Sequence, residues 1–151
     1  MKGSLFRCSR SSHRKERGQS MVEMALMMTM LLVILSAVLD LGRGFFSFIA
    51  IQNAAAEGAL YAAINPRCPG PGPGCADPNN VVFRTLNESP DGLVDKDRMD
   101  VEVSYESLSE GRPVTVTVVY QFQMVGPFSA AMPDGTLPFK AHAVQNILDV
   151  K

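Results

Sequence analysis

From Met24 to Leu39 the chain runs MALMMTMLLVILSAVL, sixteen residues without a charge. With Met21, Val22 and Glu23 the run reaches 19 residues, about 28 Å of helix at about 1.5 Å per residue. That is close to the hydrocarbon thickness of a bilayer. A core helix of a soluble domain keeps a polar stripe, whereas here only Glu23 and Thr29 interrupt apolar or small residues. The segment is expected to cross a membrane.

Charge is distributed to match. Residues 1–18 carry Lys2, Arg7, Arg10, Arg14, Lys15 and Arg17 against the single acid Glu16, while residues 65–151 carry seven basic and eleven acidic residues. Lys and Arg in excess before a span place the N-terminus in the cytoplasm, so the acidic body is expected to be periplasmic or extracellular. The basic head has no interleaved aromatics and no nucleic-acid motif, which leaves nucleic acid without support as a partner. A cleaved secretory signal has an apolar region of about 7 to 15 residues and then a small-x-small site. Here the longer run is followed by Asp40-Leu41-Gly42-Arg43, and Ala54-Ala55-Ala56 lie too far downstream. The head has no adjacent Arg pair for the twin-arginine route. The span reads as an anchor.

Helix-favouring sequence continues through Gly44-Phe45-Phe46-Ser47-Phe48-Ile49 and the alanine-rich QNAAAEGALYAA of residues 52–63. Asn65-Pro66 then stops it, because the residue before a proline is driven out of the helical region. A helix over residues 19–64 is about twice as long as one bilayer needs, so its second half is a stalk beyond the membrane. Asp40 and Arg43 mark the expected interface, with Gly42 and Gly44 as candidates for a bend. Ala55, Ala59 and Ala62 or Ala63 share one face at three- and four-residue spacing, where small side chains permit close approach. Their partner is either the chain's own sheet or another subunit. Glu57 is a solvated residue or the partner of a neighbouring chain's cation.

Glu23 is the costly residue, since a carboxylate at the bilayer centre costs about 2.5 to 3.5 kcal/mol, and less near its edge. The positive end of the helix dipole, or snorkelling toward Arg17 or Lys15, would permit it. Neither explains a glycine five residues earlier. Gly18-Gln19-Ser20-Met21-Val22-Glu23 resembles the processing site of type IV prepilins: a basic leader, Gly, then Glu at the fifth mature position. The wider segment resembles the TadE-like family of tight-adherence (Flp) pilus systems. The similarity rests on RGQSMVEMAL at residues 17–26, the apolar run, Asp40-Leu41-Gly42-Arg43, and the Gln-Asn-Ala-Ala-x-Glu-Gly-Ala-x-Tyr-Ala-Ala pattern at residues 52–63. The chain departs from the family at Ala56 and Leu60, where members often carry basic residues.

The resemblance implies a minor pilin or pseudopilin that takes part in pilus assembly at the inner membrane. A prepilin-type aspartic peptidase would cut between Gly18 and Gln19, and the new amine on Gln19 would lie beside the membrane. Glu23 would pair with such an amine on a neighbouring subunit. A carboxylate in a low-dielectric site is expensive unless paired, so the pairing would favour docking in one register. Other pilin or assembly subunits, the membrane and the peptidase are the implied partners. The alternative is a permanently anchored envelope protein whose exported domain binds a partner without polymerising.

Residues 65–80 (NPRCPGPGPGCADPNN) form a proline- and glycine-rich connection. In an oxidising compartment Cys68 and Cys75 are expected to form a disulfide, worth about 2 to 3 kcal/mol by loop entropy. Two thiols without a nearby histidine are a poor zinc site. Cys8, on the reducing side, is expected to be free. Over residues 81–151 the period changes. Val81–Leu86 is a weak strand or short helix. Asp100–Tyr105 alternates, with Val101, Val103 and Tyr105 on one side, and Pro113–Gln123 is a β-branched strand with Val114, Val116 and Val118 together. Glu110-Gly111-Arg112-Pro113 turns between them, which predicts an antiparallel hairpin. Residues 136–149 form a final strand after Pro133-Asp134-Gly135. The expected fold is α+β: a long transmembrane and stalk helix packed on a small antiparallel sheet of three or four strands, pilin-like in outline.

No enzyme signature accompanies this fold. The body's histidine, His142, lies among apolar residues of a strand, and no phosphate loop, nucleophile motif or His cluster occurs. Asp91, Asp95, Asp97 and Asp100 lack the spacing and terminal Glu of a calcium loop, which makes a solvated turn the expectation. No catalytic residue, cofactor, resident metal or small-molecule substrate is implied. Phe122 to Phe128 is either core or a contact patch for another subunit.

Overall fold

The structure, a computed structural model, describes residues 13–89 and 92–148. Lys2, Arg7, Cys8, Arg10 and Asp91 lie outside the described residues, as do the side chains of Arg14, Lys15, Glu16 and Arg17. The architecture is α+β, as the sequence predicts: helix α1 (His13–Ile64), helix α2 (Val81–Glu88), and strands β1 (Met99–Tyr105), β2 (Pro113–Gln123) and β3 (Thr136–Asn146) in one antiparallel sheet of order β1-β2-β3.

Helix α1 begins at His13, six residues before the expected start at Gln19, and runs unbroken past Gly42 and Gly44. The expected bend is absent because Gly44 serves packing instead. A Cβ there would lie 3.4 Å from the Phe139 ring and 3.7 Å from Phe122, so the helix lies close against the sheet. The helix has two halves in different surroundings. Every residue from Gly18 to Leu35 is exposed, which is the state of an apolar helix that the rest of the chain does not cover. From Asp40 onward one face is buried. Ala50, Ile51, Ala54, Ala55, Ala59, Ala62 and Ala63 are all within 7% exposure, at the three- and four-residue spacing of a helix stripe.

That stripe packs on the sheet. The alternation in β2 puts Val114, Val116, Val118, Tyr120 and Phe122 on its buried face, and Val101 and Val103 of β1 join them. Phe122 and Phe139 stack at 5.3 Å, with Phe48 edge-on to Phe139 at 6.1 Å. The β1–β2 turn has Gly111 at φ 77°, in the left-handed region that glycine supplies without strain. Strand β3 ends at Asn146, short of the expected Asp149, because the chain turns there to close the body. Ile147 exchanges backbone hydrogen bonds with Gly111 and Arg112, and the Leu148 amide donates to the Ala63 carbonyl at 2.9 Å. An otherwise orphaned carbonyl at the end of α1 is thereby satisfied.

Of the two readings of residues 81–86, the helix is observed. Asn80 decides it. Its Oδ1 accepts from the Phe83 amide at 2.8 Å, and its Nδ2 donates to the Cys75 carbonyl and to Asp77 at 2.6 Å. Asn80 is fully buried with these bonds made, a capping arrangement worth about 1 kcal/mol over alanine.

Candidate functional site

The residues singled out in the sequence fall at three levels of one helix. Gly18, Gln19 and Glu23 lie at the exposed end of α1, where Gln19 and Glu23 are one turn apart on one face. A Cβ on Gly18 would meet nothing within 4 Å. Around them are uncovered Met21, Val22, Met24 and Leu26, each more than 60% exposed. Among the described residues, this end of the helix touches no other element.

At the far level, Ala55, Ala59 and Ala62 have no exposed surface. Ala55 belongs to the cluster with Val118 and Phe122, and Ala59 and Ala62 to the one with Val81, Val114 and Val116. Of the two partners left open for them, the structure has the chain's own sheet and α2. The face left uncovered is the other one, along Phe45, Phe46, Ile49, Leu60 and Ile64, with exposures from 38% to 60%. Gly58 completes the packed face: a Cβ there would collide with Thr85 Oγ1 and come within 3.2 Å of Val116. Glycine spacing in a helix gave only a weak hint of this.

The middle level holds a residue whose role the sequence did not reveal. Asp40, expected at a water-facing boundary, is 7% exposed. Its Oδ2 accepts from the Gly126 amide at 2.7 Å, its Oδ1 more weakly from the Val125 amide at 3.4 Å, and Arg43 lies 3.3 Å from Oδ1. Arg43 also stands 5.5 Å over the Phe122 ring. Gly126 has to be small, because a Cβ would stand 2.5 Å from Asp40 Oδ2 and 2.8 Å from Ser36 Oγ. One carboxylate therefore holds the β2–β3 connection against the helix where the bare span ends.

Cys68 and Cys75 are joined in a disulfide with Cα atoms 5.3 Å apart. The loop it closes feeds α2, since the carbonyls of Cys68 and Pro69 accept from the amides of Val81 and Val82. In the acidic run, Asp95 accepts from the Asp97 amide at 3.2 Å and pairs with Arg98 at 3.2 Å. Asp97 and Asp100 are exposed, as is His142 opposite Thr117. Among the described residues no group of three or more His, Cys, Asp or Glu is placed to hold a metal.

Tyr105, at the end of β1, has a buried hydroxyl with no hydrogen-bond partner among the described residues. Burial raises its pKa above the ordinary 10.0. The unfolded chain then ionises first, so this contribution to stability is intact below about pH 10 and is lost as pH rises through the higher folded value. Urea unfolding between about pH 9 and about pH 11 is expected to show that decline, and Tyr105→Phe to flatten it. Removing an unpaired buried hydroxyl should also raise stability near neutral pH by about 1 kcal/mol.

By length and composition α1 is able to cross a membrane. No curated protein and no solved structure matches the chain. Residues 18–60 match the family model described as TadE-like protein, and it is this helix, bare span and packed half together, that is TadE-like.

Proposed function

We propose that the protein is a minor pilin or pseudopilin that takes part in assembling a Flp-type, tight-adherence type IV pilus at the inner membrane. The TadE-like match supports association with a Tad/Flp pilus system. Its finer role rests chiefly on where that match begins. It starts at Gly18, the residue after which a prepilin peptidase would cut, and takes in Glu23.

In this reading the basic head stays in the cytoplasm and is removed there. The body is delivered across the membrane, and α1 remains in the bilayer until assembly. Glu23 stands one turn from Gln19 with no partner element beside it, so it is free to meet the Gln19 amine of a neighbouring subunit. In low dielectric an unpaired carboxylate is costly, and extraction into a helix bundle with a paired amine relieves that cost. The uncovered stripe from Phe45 to Ile64 offers an apolar face to such a bundle, while the alanine face is already occupied within the chain.

Mass spectrometry of the mature N-terminus in the native host tests this. Gln19 is expected as the first residue, and Gly18→Leu should retain the leader and migrate more slowly. The substitution meets nothing in the folded chain, so lost cleavage would reflect the peptidase and not misfolding. An intact leader on the wild-type protein would overturn the proposal in favour of a permanent anchor with a partner-binding domain.

A further inference from the structure

The β2–β3 connection runs Met124-Val125-Gly126-Pro127-Phe128-Ser129-Ala130-Ala131-Met132-Pro133, ten residues without a charge. Its apolar side chains are not turned into the core: Val125 is 73% exposed, Phe128 44% and Met132 39%. Asp40 fixes its position along α1 through the Gly126 amide, and Gly126 also lies against Ser36, one turn toward the bare span. The connection is thus held beside the last turn of the apolar run, where Val38, Leu39 and Leu41 are each at least 59% exposed. Between helix and connection an apolar groove of about 640 Å³ opens, lined by Leu41, Phe45, Met124, Phe128, Met132 and Phe139 among others.

We infer that this connection is a membrane seat: Val125 and Phe128 enter the lipid leaflet on the body's side of the bilayer that α1 crosses. The argument is one of level and continuity. A span that ends near Asp40 places the Ser36 turn about 5 Å deeper, one helical pitch. Apolar side chains of interfacial segments bury about 5 to 10 Å into the boundary between headgroups and acyl chains, so a connection tied at that turn reaches the same depth. Its exposed apolar surface is continuous with that of the span, with no charged residue of its own to hold it in water. Lipid is therefore the occupant that covers it. The seat also fixes the tilt and rotation of the body over the membrane, which a single flexible span would leave free.

The chain contains no tryptophan, so single-tryptophan variants of the full-length protein report depth without background. Phe128→Trp, Val125→Trp, Leu108→Trp in the β1–β2 turn at the opposite end of the sheet, and Leu32→Trp in the span would be reconstituted into phosphatidylcholine–phosphatidylglycerol vesicles, with and without acyl-chain-brominated lipid. Tryptophan at 125 or 128 is expected to emit to the blue of that at 108 and to lose much of its emission to the brominated lipid, while the one at 108 loses none. The proposal rests on α1 crossing the bilayer, which position 32 checks. Quenching at 32 but at neither 125 nor 128 overturns the seat and leaves the span standing. Quenching at none of the three overturns both. Blue-shifted emission at 125 and 128 without quenching means protein, such as a second copy, covers the patch, and also overturns the lipid seat.

Discussion

Gly58→Ala is expected to destabilise the body by about 2 kcal/mol, although it replaces a mid-helix glycine with the best helix former. Helix propensity favours alanine by about 1 kcal/mol, and in an uncrowded helix that would decide the sign. Here the new methyl would strike Thr85 Oγ1 and press on Thr85 Cβ at 3.3 Å and Val116 Cγ1 at 3.2 Å. Threonine cannot swing clear without giving up its bond to the Val81 carbonyl, which is 2.9 Å long and buried. Overpacking of about 1 to 3 kcal/mol or more therefore exceeds the propensity gain. Thermal unfolding followed by circular dichroism should show Tm lower by several degrees, at about 4 to 8 °C per kcal/mol for a body this size. Adding Thr85→Ala should recover part of the loss, a positive coupling between the two sites. Equal or higher stability for Gly58→Ala would show that α1 and α2 are not in this close contact.

The second large effect is expected at Asp40. Asp40→Ala removes the acceptor of the 2.7 Å Gly126 bond and leaves two backbone amides without their partner. Hydrogen bonds to charged groups contribute about 1.5 to 3 kcal/mol, so a loss of about 2 kcal/mol is expected, localised to the β2–β3 connection. Hydrogen exchange is the discriminating measurement. The Val125 and Gly126 amides should exchange about 30-fold faster, the equivalent of about 2 kcal/mol of local opening, while the centre of β2 changes little. Asp40→Asn keeps one acceptor oxygen and should lose less. Gly126→Ala, whose Cβ would displace the carboxylate, should resemble Asp40→Ala. Uniform destabilisation of the whole sheet would contradict a local clamp.

Much of the fold was legible because it is written in local patterns. Alternation in residues 100–105 and 113–123 gave two strands and their buried faces, since side chains in a strand take opposite sides in turn. The length and composition of α1, and a stop at Asn65-Pro66, followed from helix geometry and proline sterics. Cys68 and Cys75 are bonded as short spacing in an oxidising compartment suggested. Two expectations failed for one reason. Gly42 and Gly44 suggested a bend, and Asp40 a solvated boundary, because glycine and aspartate usually signal those things locally. Gly44 instead admits Phe139, and Asp40 is occupied by amides of a distant segment.

A span of bilayer length, a basic head before it, a Gly-to-Glu spacing at its start and an acidic, β-rich body after it were all determined by the sequence alone. Each depends on residues near one another in the chain, where periodicity, charge and composition have a direct physical meaning. Tertiary structure alone decided that the alanine stripe is spent on the chain's own sheet, that Gly58 is a contact point for Thr85, and that Asp40 grips an amide 86 residues away. Those facts depend on distances between segments far apart in sequence, which no local pattern encodes. They also changed the meaning of the apolar span: it does not end in a bare stalk, but in a turn clamped to the body at the level where the membrane would stop.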